Sequence, residues 1–264
     1  MSDTYTDDKL IQRCLHDRII SQEGEIDGID FLLHTLQPGS KILDVGCGPG
    51  TIAFQASSFL KPAGYVIGID ISHETLQSAL LSAISKKITN TEFIRGTAYK
   101  LPFHDSYFDA VYFRHLLMHL EDIRKSIREA IRVTREGGNL IALEGDIETW
   151  GYYPRFAGWE GLFQIVRQKL GTGTAGRQLW SIFNEIGLID VKISVIANVA
   201  TGDEFRNHIL KWLEVFQLSH DYIIEKNIYN KNMLDNALSE GYKLLHHPFG
   251  CFSSLEYEVS GIKK

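Results

Sequence analysis

"KILDVGCGPGTIAF", residues 41–54, changes character twice within one short stretch. Ile42, Leu43 and Val45 form an apolar run around Asp44, which reads as a short buried strand. Gly46, Gly48 and Gly50 then alternate with Cys47 and Pro49, and from Thr51 the chain reads as a helix. Glycines at a strand end let the backbone turn sharply and come close to a ligand. The helix behind them offers backbone N–H groups with no partner of their own.

Outward from this stretch the same alternation repeats. Strands are expected at 41–46, 65–70, 91–95, 108–114 and 139–144, with helices at 51–60, 73–87 and 122–134 between them. Leu76, Leu80, Leu81 and Ile84 mark one helix stripe, and Ile123, Ile127 and Ile131 another. Strands alternating with such helices predict an α/β fold, a doubly wound, mainly parallel sheet covered on both faces. After Glu144 the rhythm changes. An aromatic-rich stretch at 149–166 precedes a helix near 177–186, a strand over 189–200, two or more helices over about 202–247 and a final strand at 252–261. The expected division is an N-terminal helical cap at 1–37, a Rossmann-like core at 38–201, a helical insertion at 202–247 and a closing core strand at 248–264.

The glycine spacing is informative. A dinucleotide turn favours G-x-G-x-x-G so that pyrophosphate can sit on the helix N-terminus. Here it is G-x-G-x-G, and the acid Asp44 stands just before it. A carboxylate repels pyrophosphate and attracts an ammonium group. Asp70 ends the next strand in "VIGIDIS", where a carboxylate can accept from both hydroxyls of a ribose. An amino acid joined to a nucleoside, as in S-adenosylmethionine, meets both requirements.

Four motifs in order then carry a resemblance. "ILDVGCGPG", "GID", "LPFHDSYFDAV" and "LLMHLEDIRKSIREAIRVTREGGNLIALEGD" resemble the corresponding segments of class I S-adenosylmethionine-dependent methyltransferases. The similarity is to the small-molecule type that includes ubiquinone- and menaquinone-pathway enzymes, and it runs from about Lys41 to Asp146. It implies a seven-stranded sheet with the last strand antiparallel. It also implies that Gly46, Gly48 and Gly50 shape the loop under the methionine moiety and that Asp44 lies near its amino group. Asp70 would hold the ribose, Ile71 would pack on adenine and Thr97–Ala98 would edge the ring. Arg114 and His115 would flank the methionine portion and the methyl group. Family members commonly carry Asp where this chain has Thr97.

Methyl transfer from a sulfonium is an in-line displacement that chiefly needs positioning and exclusion of water. An acceptor that must lose a proton also needs a base. His115, His119 and Glu144 are the candidates, with Asp146 and Tyr152 beside them, and Trp150, Tyr152 and Tyr153 are candidates for lining an acceptor pocket. A small organic acceptor is expected. There is no N/D-P-P-Y run after the fourth strand, no Pro-Cys nucleophile and no cysteine cluster. A nicotinamide oxidoreductase and a non-catalytic S-adenosylmethionine-binding protein are the alternatives.

Composition bounds the partners. A net charge of −6 gives no electrostatic reason to expect nucleic acid. Cys14, Cys47 and Cys251 are scattered, which points to reduced thiols and a cytoplasmic protein. His246–His247 has no third ligand nearby, so no metal is expected. The polar N-terminal residues do not read as a signal peptide, and no apolar run is long enough to span a bilayer.

Overall fold

The computed structural model describes residues 32, 34, 36–60, 63–169 and 173–264. The N-terminal helical cap expected at residues 1–37 lies almost wholly outside them. Seven strands form one sheet: β1 (Lys41–Val45), β2 (Tyr65–Asp70), β3 (Thr91–Arg95), β4 (Phe108–Arg114), β5 (Thr134–Tyr153), β6 (Ile189–Thr201) and β7 (Cys251–Ile262), in the order β3-β2-β1-β4-β5-β7-β6. The pairs β1–β2, β1–β4, β2–β3 and β4–β5 are parallel. β7 runs antiparallel to β5: Gly137 N–H donates to Lys263 O and Lys263 N–H to Gly138 O, while far along both strands Leu255 N–H reaches Thr149 Oγ1. This is the doubly wound mixed sheet expected from the sequence.

Helices α1 (Thr51–Phe59), α2 (His73–Ser85) and α3 (Ile123–Val133) join the parallel strands. Ser72 caps α2 by accepting from Thr75 N–H, and Asp122 caps α3 by accepting from Lys125 N–H. On one sheet face Ile42, Tyr112, Ile141 and Leu143 bury against Ile52, Ala53 and Ala56 of α1. Leu43, Val111 and Phe113, which alternate with them, are buried as well. Central parallel strands bury both faces, which is why they read as unbroken apolar runs.

Two expectations need correction. The strand expected at 139–144 runs from Thr134 to Tyr153. "REGG" resembles a turn, yet the end of β7 pairs with it, and a register shift between Phe108 and Ala110 absorbs the extra length. The stripe read on α2 also turns outward. Leu76, Ala79 and Ala83 face the protein, whereas Leu80, Leu81 and Ile84 are exposed, because small alanines let the helix approach the sheet.

The described residues form two compact units. One comprises those up to 145 with 174–196, which includes α5 (Ala175–Ile186), and 256–264. The other comprises 146–173 and 197–255. It holds α4 (Ala157–Lys169), α6 (Gly202–Leu218), α7 (His220–Glu225) and α8 (Lys231–Leu245). Here α8 packs on α4 and α6, and Gly241 permits the approach: a Cβ there would lie 2.4 Å from Trp159. Among the described residues no helix is long and apolar enough to cross a membrane.

Candidate functional site

The carboxyl ends of β1, β2 and β4 carry most of the polar residues singled out in the sequence. The turn after β1 takes Gly48 at φ +51 and Gly46 at φ +75, left-handed backbone that favours glycine. At Gly46 even a methyl group would meet Leu116 at 2.8 Å. Asp70 holds this turn from the next strand. Its Oδ2 accepts from Gly48 N–H at 2.9 Å and its Oδ1 from Ser72 N–H at 2.9 Å. A carboxylate has about four acceptor positions, so both oxygens retain capacity for hydroxyl groups. Ile71 follows with 70% of its surface exposed, an uncovered apolar face beside that acid. Arg95 Nε–H donates to Ile71 O and fixes the backbone there. Thr97 and Ala98 lie in the turn after β3, where Thr97 bridges to Lys100 and its hydroxyl accepts from Tyr99 N–H.

Asp44 is the unusual group. It is buried, and its Oδ2 has no hydrogen-bond partner. Burial pushes its pKa up to about 7, helped by the nearby Asp70 charge and opposed by Arg114 and the Ala53 amide. Arg114 Nε is likewise buried without an acceptor. A carboxylate oxygen and a guanidinium N–H left unpaired in the interior are costly unless a ligand completes them. The ammonium and carboxylate of an amino acid supply the two complements, so these residues fit S-adenosylmethionine. Cys47, in the same turn, is buried with its thiol pushed well up by desolvation, which keeps it protonated.

Beyond β4 the chain enters a short 3-10 turn, Leu117–His119, ordered from below by Glu144. Glu144 is fully buried, and its carboxylate accepts from the N–H groups of Leu116, Leu117 and Met118 at 2.9, 2.6 and 3.4 Å. Desolvation nevertheless raises its pKa to about 7, with the nearby His115 opposing the rise. His119 is the last residue of this turn. His115 stands two residues before this turn at φ +49, and its Nε2 lies 2.9 Å from Glu256 Oε1 on β7. Nothing in the sequence marks Glu256, because its proximity to β4 depends on the register of the last strand. Among the described residues no group of three or more His, Cys, Asp or Glu could hold a metal ion.

In the other unit, Asp146 is buried and accepts from Glu148 N–H. Trp150 and Tyr152 line a cavity of about 460 Å³ together with Glu148, Arg155, Glu160 and Phe163. Tyr153 points away from it, 64% exposed and edge-on to His247. The Tyr152 hydroxyl lies 3.0 Å from His208 Nε2, and burial pushes that imidazole down to about 3, so it is neutral. His208 stacks on Phe252 at 3.8 Å. Neither His208 nor Phe252 was marked by the sequence. They come from distant segments and meet only in the folded unit.

Residues 36–166 match a family model described as a methyltransferase domain. An uncharacterized methyltransferase of Schizosaccharomyces pombe is 39% identical over 164 residues, 58% of either chain. A demethylmenaquinone methyltransferase of Lactococcus lactis is 33% identical over 133 residues, 50% of this chain and 52% of that one. The chain thus spans about half the length of the curated relatives it matches. Among solved structures, the YcgJ protein of Bacillus subtilis superposes with a TM-score of 0.62 at 19% identity, covering 89% of this chain and 97% of that one. Phosphoethanolamine N-methyltransferase 2 of Haemonchus contortus, solved with S-adenosyl-L-methionine, gives a TM-score of 0.59 at 20% identity, covering 99% and 58%. Motifs, sheet order and domain match agree: through residues 36–166 the chain belongs to the class I S-adenosylmethionine-dependent methyltransferase family.

Proposed function

We propose that the protein moves a methyl group from S-adenosylmethionine to a small organic acceptor. The observation that carries this reading is the unpaired, buried Asp44 Oδ2 behind a G-x-G-x-G turn, a place suited to an ammonium group and hostile to a pyrophosphate. Asp44 and Arg114 hold the amino-acid end, the glycine turn lies under it, Asp70 takes the ribose hydroxyls, Ile71 covers adenine, and Thr97–Ala98 edge the ring. The bound sulfonium supplies an already activated methyl group. The protein's task is then to hold the acceptor in line and to keep water out.

Glu144 acts as a positioning residue in this reading. Its oxygens are engaged by three amides, so it fixes the loop that carries His115 and His119. Cytoplasmic placement belongs to the same proposal and rests on the free thiols Cys47 and Cys251.

Two measurements test it. Calorimetry with S-adenosylmethionine should give one site in the wild type and a strongly weakened one in Asp70→Ala. Incubation with labelled S-adenosylmethionine and a cell metabolite extract should move label into a small product and release S-adenosylhomocysteine. No binding in the wild type would end the reading.

A further inference from the structure

We infer that His115 is the proton acceptor of the reaction and that Glu256 is its positioning partner, which makes the acceptor one that loses a proton on methylation. The inference rests on the methyl-transfer reading above. Four observations carry it. His115 directly follows Arg114, the last residue of β4, where ligands of this fold sit beyond the strand ends. Its backbone is held at φ +49, uncommon for a non-glycine residue, and such strain persists only where surroundings impose it. The imposing contacts are visible: its own N–H donates to Leu143 O, and Glu144 clamps the three amides that follow. Finally, Nε2 meets Glu256 Oε1 at 2.9 Å, both side chains being about one-fifth exposed.

This contact selects a tautomer. An ionised carboxylate only accepts, so Nε2 must carry the hydrogen. The lone pair of a neutral imidazole is then on Nδ1, which makes no hydrogen bond among the described residues. When the acceptor's heteroatom or carbanion forms its bond to the methyl carbon, the carbon–sulfur electron pair stays on sulfur. The proton released by the acceptor goes to His115 Nδ1, and the resulting imidazolium is stabilised by Glu256. Hydroxyls, N–H groups and carbon acids satisfy this balance. A thioether or a tertiary amine has no proton to give.

The test uses the chain as described and three variants, Glu256→Gln, Glu256→Ala and His115→Gln. Nitrogen-15 NMR, with the signal assigned through His115→Gln, should find the Nε2–H tautomer in the wild type. Glu256→Gln should keep it, since the amide oxygen accepts the same bond, whereas Glu256→Ala should lose it. Labelled-methyl incorporation from extract at saturating S-adenosylmethionine should fall about 10–100-fold in Glu256→Gln and further in Glu256→Ala, with calorimetric affinity for S-adenosylmethionine unchanged. A tie that merely anchored β7 would leave the Glu256→Gln rate at the wild-type level. That result, or an Nδ1–H tautomer in the wild type, overturns the inference. If the wild type fails to bind S-adenosylmethionine, the methyl-transfer reading falls instead, so the two failures are distinct.

Discussion

Asp44→Asn is expected to raise the stability of the ligand-free protein at pH 8 while weakening S-adenosylmethionine binding about 10–100-fold. The two effects share one cause. Asp44 is buried with one carboxylate oxygen unpaired, and its pKa stands at about 7 against an ordinary 3.8. Ionising it at pH 8 therefore costs the empty fold, and asparagine removes that cost. Because an amide also leaves a buried polar atom unpaired, the gain should be about 1–3 kcal/mol, less than the pKa difference alone would give. Binding moves the other way, since a charge-assisted hydrogen bond to the ligand's ammonium is worth about 1.5–3 kcal/mol. Urea denaturation and calorimetry measure the pair of numbers. A variant that loses stability and binds S-adenosylmethionine as the wild type does would contradict both halves.

The same group sets a pH dependence whose sign follows from linkage. Between about pH 4 and pH 7 the folded protein keeps a proton on Asp44 that the unfolded chain releases. Stability of the ligand-free fold should thus fall as pH rises through that window, by at most about 1.4 kcal/mol per unit for one group. Glu144, raised from 4.5 to about 7, contributes in the same direction. Ligand affinity has the opposite slope. Only ionised Asp44 attracts the ammonium, so affinity should drop by up to about tenfold per unit as pH falls below about 7. Asp44→Asn should flatten that slope. A wild-type affinity constant from pH 5 to pH 8 would rule the linkage out.

What could be read without the fold divides along physical lines. β1, β2 and β4 were legible because strands buried on both faces are continuous apolar runs, and the Ser72 and Asp122 caps fix where α2 and α3 begin. Asp44 and Asp70 were legible as a pair because each ends a strand just before a turn. The orphaned Oδ2 of Asp44 was not, since it depends on what fails to come near it. The aromatic run Trp150, Tyr152, Tyr153 could not be sorted while β5 was read as ending at Glu144. Once the strand continues to Tyr153, alternation puts Trp150 and Tyr152 on one face and Tyr153 on the other. Glu256 needed the register of β7, a contact 141 residues distant in sequence that no local pattern encodes.

Glu144→Ala should be among the most damaging single changes in the chain, at about 3 kcal/mol or more. The side chain is fully buried, and its two oxygens are the acceptors for Leu116, Leu117 and Met118 N–H groups at the start of the 3-10 turn. Truncation strands three donors and opens a cavity, and each unsatisfied buried donor costs about 1–3 kcal/mol. Glu144→Gln separates charge from geometry. Its amide oxygen can still serve two donors while its NH₂ opposes the third, so a smaller loss, about 1–2 kcal/mol, is expected. Hydrogen exchange at residues 116–118 reads the cause directly: protection should collapse in Glu144→Ala and persist in part in Glu144→Gln. If Glu144 served only as an acid or base, Glu144→Ala would abolish turnover and leave both stability and those amides as they are. Because His115 stands immediately before the clamped amides at φ +49, loss of the clamp should also release its backbone, so activity should fall with protection and in the same order of variants.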